Sequence, residues 1–221
     1  MAGHAVFDLD GTLVDSVPVL TAVLNAMLAE RGLKTALSEA QVRPHATAGG
    51  LAMVGELLGD QWGPPAVALE AFRARYGALP TPPESLYPGI PTALSTLRDA
   101  GVGLSVVSNK SQALCEKVLR ELGLDSYFGA IVGTSPEIPL KPDPTGFDRA
   151  LSLTGGSRRL SCVIGDSAPD HALAQAVGAP FILASWGYGE GEAALPGARV
   201  AGTPAAIPDL VLRALSNRLA A

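Results

Sequence analysis

The chain has 221 residues, with 16 Lys+Arg against 21 Asp+Glu, a net charge of −5 and a pI near 5.2, which excludes the basic footprint of a nucleic-acid-binding protein. With 48% hydrophobic and 17% charged residues and a mean hydropathy of +0.28, the composition excludes disorder. The length suits one domain plus an insert, and with aromatics at 5% the core falls to Val, Leu, Ile and Ala.

The first residues, Met1-Ala2-Gly3-His4, lack the basic and apolar regions of a signal peptide. No apolar run approaches the roughly 20 residues that cross a bilayer. Cys115 and Cys162 each lie in an apolar periodic segment, with no Cys-x-x-Cys or Cys/His metal spacing, and read as buried thiols. The expectation is a soluble, cytoplasmic protein, monomer or homodimer, with neither membrane nor nucleic acid as partner.

The first predicted strand is Ala5-Val6-Phe7-Asp8. From Val17 to about Ser85 the periodicity is helical. Val17, Leu20, Leu24, Met27 and Leu28 share one face, followed by Leu51, Val54, Leu57 and Leu58, and then by Val67, Leu69, Phe72 and Tyr76. Arg73 and Arg75 are assigned to the outer face of the last of these helices. The segment Leu79-Pro80-Thr81-Pro82-Pro83 cannot continue a helix and is read as the return to the core. Helices follow at Ile90 to Ala100, Ser111 to Leu122, Pro144 to Leu153 and Ala168 to Val177, several closed by glycine. Between them lie the strands Leu104 to Ser108, Ala130 to Gly133, Ser161 to Asp166 and Phe181 to Ser185, and Ile207 to Leu219 is a closing helix. Strands alternating with helices predict an α/β fold with a doubly wound parallel sheet. Most strands recur at about the length of one βαβ unit, but nearly a hundred residues separate the first from the second. A small α-helical cap is therefore expected at residues 16–85, inserted into a core of residues 1–15 and 86–221.

In such a sheet ligands bind at the carboxyl ends of the strands. The polar residues fall there: Asp8-Leu9-Asp10-Gly11-Thr12 after strand one, Ser108-Asn109-Lys110 after strand two, Lys141 in the loop after strand three, and Asp166-Ser167-Ala168-Pro169-Asp170 after strand four. Asp8, Asp10, Asp166 and Asp170 cannot share a site unless protons or a cation relieve their repulsion. An all-oxygen, acid-rich site suits Mg²⁺, which shares its shell with water and a substrate phosphate. One aspartate, assigned as Asp8, then stays ionised to attack phosphorus. Asp10, two residues on, can hold a proton for the departing alcohol and later take one from water. Ser108, Asn109 and Lys141 would hold the transferring oxygens.

Each motif alone has an ordinary structural reading: an acidic turn, a helix cap, a loop lysine. Together and in order, Phe7-Asp8-Leu9-Asp10-Gly11-Thr12-Leu13-Val14-Asp15-Ser16, Ser108-Asn109, Lys141-Pro142 and Gly165-Asp166-Ser167-Ala168-Pro169-Asp170 resemble the four motifs of the haloacid dehalogenase-like (HAD) hydrolase superfamily. Tyr87-Pro88-Gly89 and Trp186-Gly187-Tyr188-Gly189 are similar to its phosphoglycolate phosphatase branch, and the insert sits where that family carries a C1-type cap. The resemblance implies a Rossmann-like core and a phosphoric monoester hydrolase working through an aspartyl-phosphate. It implies Asp8 as nucleophile and Asp10 as acid/base, with Ser108, Asn109 and Lys141 on the phosphate. Mg²⁺ would be held by Asp8, Asp166 and the Asp10 main-chain carbonyl, with Asp170 and Thr12 behind these ligands.

The substrate expected is a small phosphorylated metabolite, phosphoglycolate first. A phosphosugar mutase, a phosphatase for another metabolite and a non-enzymatic phosphate sensor are the alternatives. The cap loop holding Arg43, His45 and Thr47 is a candidate substrate contact or a plain exposed loop. Gly187-Tyr188-Gly189-Glu190-Gly191 reads as a flexible loop, and His171 as a helix-surface residue or a support behind the site.

Overall fold

The computed structural model describes residues 3–189 and 195–220. Glu190 and Gly191, the end of the glycine-rich segment read above as flexible, lie outside the described residues. The described strands are β1 (His4–Phe7), β2 (Gly103–Ser111), β3 (Ala130–Thr134), β4 (Ser161–Gly165), β5 (Phe181–Ala184) and β6 (Arg199–Ala201). They form one parallel sheet in the order β3-β2-β1-β4-β5-β6. This is the doubly wound α/β arrangement, with the reversal of strand order at β1 and β4. The three-residue β6 escaped the sequence reading because Arg199-Val200-Ala201 carries no apolar run.

Register brings the chemistry together. His4 pairs with Gly103 on one side and Ser161 on the other, and Phe7 with Val106 and Ile164, so β1 and β4 end nearly flush while β2 continues past them. β2 runs three residues beyond its expected end, and its register against β3 shifts between Val107 and Ser111. Such an irregularity re-aims side chains at a sheet rim, and here it falls on Ser108, Asn109 and Lys110.

The insert comprises α1 (Val17–Glu30), α2 (Glu39–Val42), α3 (Gly50–Leu58) and α4 (Pro65–Ala78), with 3₁₀ turns at Arg43–His45 and Gly59–Trp62. The apolar stripe of α1 is buried as its spacing predicts. On α3 and α4 the faces are rotated from those expected. Leu51 and Val67 are exposed, and the buried lines run through Met53, Val54 and Leu58 and through Ala68, Phe72 and Tyr76. Between these helices Trp62 is buried, its indole N–H reaches Met27 O at 3.0 Å, and Arg31 and Arg75 stack on its ring. The proline-rich return is tied to α6 (Gln112–Glu121), where Thr81 N and Oγ1 donate to Glu121 at 2.9 and 2.7 Å.

The remaining helices, α5 (Ile90–Asp99), α7 (Thr145–Thr154), α8 (Ala168–Val177) and α9 (Ile207–Ala220), cover the sheet where expected. Apolar packing continues from the core residues Leu9, Leu13 and Val14 into Leu20, Leu24 and Met27 of α1. Cys115 and Cys162 are buried free thiols. No helix among the described residues is long and apolar enough to cross a membrane.

Candidate active site

Asp8 directly follows β1, with its amide held by Ile164 O of β4 at 2.8 Å. Its carboxylate is 8% exposed; Oδ1 accepts from Leu9 N at 2.7 Å and from the Lys141 ammonium at 2.8 Å. Burial, followed by the nearby Asp170, pushes the Asp8 carboxyl up to about 7 against the pull of Lys141. Lys141 spends its three protons on Asp8, on Asp170 Oδ1 at 2.6 Å and on Val107 O at 3.1 Å. Burial works against the charge of Lys141, but Asp170 and Asp8 outweigh it and hold the pKa above the ordinary lysine value.

The chain turns at once after Asp8. Gly11 adopts φ +80°, and a Cβ there would overlap the Asp166 carboxylate, so both backbone conformation and close approach require glycine. The turn places Asp10 beside β2, where Lys110 Nζ donates to both its oxygens at 3.0 and 2.9 Å. Lys110 is buried against the Tyr76 ring of α4, 4.7 Å from its centroid. Burial opposes its charge, yet Asp10 keeps the pKa above the usual lysine value. The sequence reading gave Lys110 no role, because it ended the strand at Ser108. A strand continued through Ser111 puts 108 and 110 on the same side.

Asp166 follows β4 and is 1% exposed. Its Oδ2 accepts from Tyr188 N at 2.6 Å, while its buried Oδ1 has no hydrogen-bond partner. Burial, then Asp170 and Asp8, raise its carboxyl well above the usual range. Asp170 caps α8 through Ser167 N at 3.2 Å and Ser167 Oγ at 2.8 Å, and its other oxygen receives Lys141. One carboxylate oxygen from each of Asp8, Asp166 and Asp170 lies within 4.8 Å of the others. These residues fit a hard divalent cation: the donors are all oxygen, and Asp166 Oδ1 is unpartnered. Both Asp170 oxygens are already engaged with Ser167 and Lys141, whereas Asp166 keeps a buried oxygen without a partner. Four carboxylates against two ammonium groups leave a charge deficit that one divalent cation would balance.

Asn109 Oδ1 accepts from Lys141 N at 2.7 Å, and its Nδ2 donates to Thr47 O of the insert at 3.4 Å. Ser108 is buried, with Oγ accepting from Lys110 N at 3.3 Å. Thr12 is fully buried; its carbonyl accepts from Trp186 Nε1 at 3.2 Å and its hydroxyl has no partner. The loop after β5 is a support rather than a free loop, since a Cβ at Gly187 would overlap Asp166. In the same loop the Tyr188 hydroxyl accepts from Ser16 N at 2.6 Å and donates to Asp15 Oδ1 at 2.9 Å.

Asp8, Asp10, Ser108, Asn109 and Lys141 line one cavity of about 60 Å³ between the sheet edge and the inserted helices. Of the cap-loop residues Thr47 lines it, whereas Arg43 stands over the Tyr188 ring, 3.9 Å from Asp15, and neither Arg43 nor His45 is among the lining residues. Arg73 is exposed, as expected for the outer face of its helix, and stands at the rim of the cavity. His171 is neither a surface residue nor part of the site: it is buried, its Nε2 bonded to Pro196 O at 3.0 Å and its ring on Phe181.

The family model of haloacid dehalogenase-like hydrolases matches residues 3–178. The chain is 35% identical over 190 residues to a phosphoglycolate phosphatase of Xanthomonas campestris pv. campestris, covering 84% of each chain. It is likewise 35% identical over 182 residues to a phosphoglycolate phosphatase of Aquifex aeolicus, covering 82% of this chain and 84% of that one. A crystal structure of a predicted phosphoglycolate phosphatase from Haemophilus somnus superposes with a TM-score of 0.82 at 25% identity, covering 95% of this chain and 97% of the other. With a family match over most of its length, and with the acidic cluster, lysines and sheet edge described above, the chain belongs to the haloacid dehalogenase-like hydrolases.

Proposed function

We propose that this hydrolase is a Mg²⁺-dependent phosphatase that cleaves a small phosphate monoester through an aspartyl-phosphate on Asp8, with phosphoglycolate the leading substrate. The phosphatase assignment follows from the family and from relatives that carry that activity in their names. The observation that carries the mechanism is the pairing at the floor of the cavity: Asp8 on Lys141 and Asp10 on Lys110, two residues apart at the end of one strand.

In the first half-reaction Asp8 Oδ attacks phosphorus, the ester P–O bond breaks, and Asp10 gives its proton to the departing alkoxide. In the second, Asp10 takes a proton from water as its oxygen attacks phosphorus, and the acyl-phosphate P–O bond breaks to release phosphate and restore the Asp8 carboxylate. Ser108, Asn109 and Lys141 orient the phosphoryl oxygens. Asp8, Asp166 and the Asp10 main-chain carbonyl would hold Mg²⁺, which when bound supplies positive charge to the phosphoryl oxygens and to a buried carboxylate that otherwise titrates near 7. Lys110 holds both oxygens of the Asp10 carboxylate in place at the cavity floor.

The segment 16–85 acts as a cap on the core of 1–15 and 86–221, and its closure through Thr47 and Asn109 would exclude bulk water. The buried free thiols Cys115 and Cys162 support a reducing, cytoplasmic setting. The test is a phosphate-release screen over phosphoglycolate, sugar phosphates, nucleoside monophosphates and pyrophosphate, with Mg²⁺ or with EDTA. Phosphoglycolate should give the highest kcat/KM; a sugar phosphate ranking first would replace it as substrate.

A further inference from the structure

Three cations line the cavity: Lys110, Lys141 and Arg73. Lys110 is committed to Asp10, and Lys141 to Asp8 and Asp170. Among the described residues Arg73 forms no ion pair, although Arg75, two residues on, is bonded to Glu30 and stacked on Trp62. Two residues are about 200° apart around a helix, so α4 turns Arg75 to its own support and leaves Arg73, solvent-exposed, at the rim of the cavity. The wall beside Arg73 is apolar, made by Leu69 and Phe72 of the same helix and Met53 of α3. Such a wall offers a guanidinium no partner from the protein.

We propose that Arg73 determines specificity by binding a carboxylate at the end of the substrate opposite its phosphate. This inference rests on the phosphatase reading above and adds the group that selects among phosphate esters. The helix sets the scale. Tyr76, whose ring covers Lys110, lies three residues beyond Arg73, a rise of about 4.5 Å. Arg73 therefore starts about one helical turn along α4 from the residue that covers Lys110, so the guanidinium and the Lys110–Asp10 pair border the same cavity. A cavity of about 60 Å³ favours a phosphate and a carboxylate joined by a short linker over a nucleotide or a hexose phosphate. A guanidinium presents two parallel N–H donors to a planar carboxylate, which an ammonium cannot do. An uncharged substrate end would gain nothing from it.

The experiment compares kcat/KM, in Mg²⁺, for 2-phosphoglycolate, for the uncharged 2-hydroxyethyl phosphate and for ethylene glycol bisphosphate, in the wild-type protein, Arg73→Ala and Arg73→Lys. The wild type should prefer the carboxylate over the uncharged ester by on the order of 10- to 100-fold, the effect of a charge-assisted hydrogen-bonded pair. Arg73→Ala should bring that ratio close to one, and Arg73→Lys should leave an intermediate ratio. A ratio unchanged in Arg73→Ala overturns the inference, as does a wild-type preference for the bisphosphate over the carboxylate. Hydrolysis of all three esters without preference overturns the subsite while leaving the phosphatase reading intact. Hydrolysis of none removes both.

Discussion

Lys110 Nζ donates to both carboxylate oxygens of Asp10, at 3.0 and 2.9 Å, and the ring of Tyr76 from the inserted helices lies against the same ammonium. The proposed acid/base is thus held by one residue of the sheet, and that residue is covered by the cap. Replacing Lys110 with Met keeps the buried volume and removes the charge. We expect kcat for an aryl phosphate to fall roughly 10- to 100-fold, the scale on which general acid–base groups contribute. Circular dichroism should stay native. An unchanged kcat would separate Lys110 from the chemistry.

Burial and Asp170 raise the Asp8 carboxyl to about 7, so it is partly protonated at neutral pH when no cation is bound, and Asp166 is raised in the same direction. A carboxyl raised above its unfolded value costs the folded state stability once it ionises. The metal-free protein should therefore lose stability as pH rises from about 4 toward 7, and Mg²⁺ should stabilise it more at pH 8 than at pH 5. Binding should also release protons near pH 6.5. Calorimetry in buffers of different ionisation heat measures that release, and thermal melts should show a rise of several degrees at saturating Mg²⁺. Binding without proton release would contradict the proposed ligands.

Gly187 approaches Asp166 so closely that a Cβ would occupy the position of its carboxylate. The variant Gly187→Ala should displace Asp166 and weaken Mg²⁺ about 10- to 100-fold, as loss of a ligand's support typically does. The Mg²⁺ concentration giving half-maximal phosphate release checks this. Unaltered metal dependence would argue that Asp166 is not a ligand.

Far from the site, at the opposite end of β1, His4 is buried and shares a hydrogen bond with Ser105 Oγ at 2.8 Å. Burial lowers its pKa from 6.5 to about 4, so the fold holds it neutral. Its contribution to stability is complete above pH 6.5 and is lost as pH falls toward 4, by up to about 3 kcal/mol. Urea unfolding at pH 7.5 and 4.5 should show a smaller difference in His4→Gln than in the wild type. Equal differences would assign the acid sensitivity to other groups.

The strand–helix alternation, the helical run between β1 and β2 and the polar strand ends were legible because each rests on local pattern: apolar runs, helical periodicity and polar residues at strand ends. Lys110 was hidden because its role depends on β2 continuing past Ser108, which is decided by pairing with β3 rather than by propensity. Arg73 is exposed as its spacing predicts, but helical periodicity does not say which cavity an exposed residue borders. The buried line of the helix runs through Ala68, Phe72 and Tyr76, with Val67 exposed. Gly187 and Tyr188 read as a flexible loop because their contacts, with Asp166 and Asp15, come from distant parts of the chain. Long-range packing, not composition, gives these residues their roles.

The central claim is that Asp8 attacks phosphorus in a cation-assisted site. The most direct measurement is phosphate release from 2-phosphoglycolate by the wild-type protein and Asp8→Asn, each with Mg²⁺ and with EDTA, alongside circular dichroism. The account predicts release only from the wild type with Mg²⁺, with both proteins folded. Metal-dependent turnover retained by a folded Asp8→Asn would contradict it.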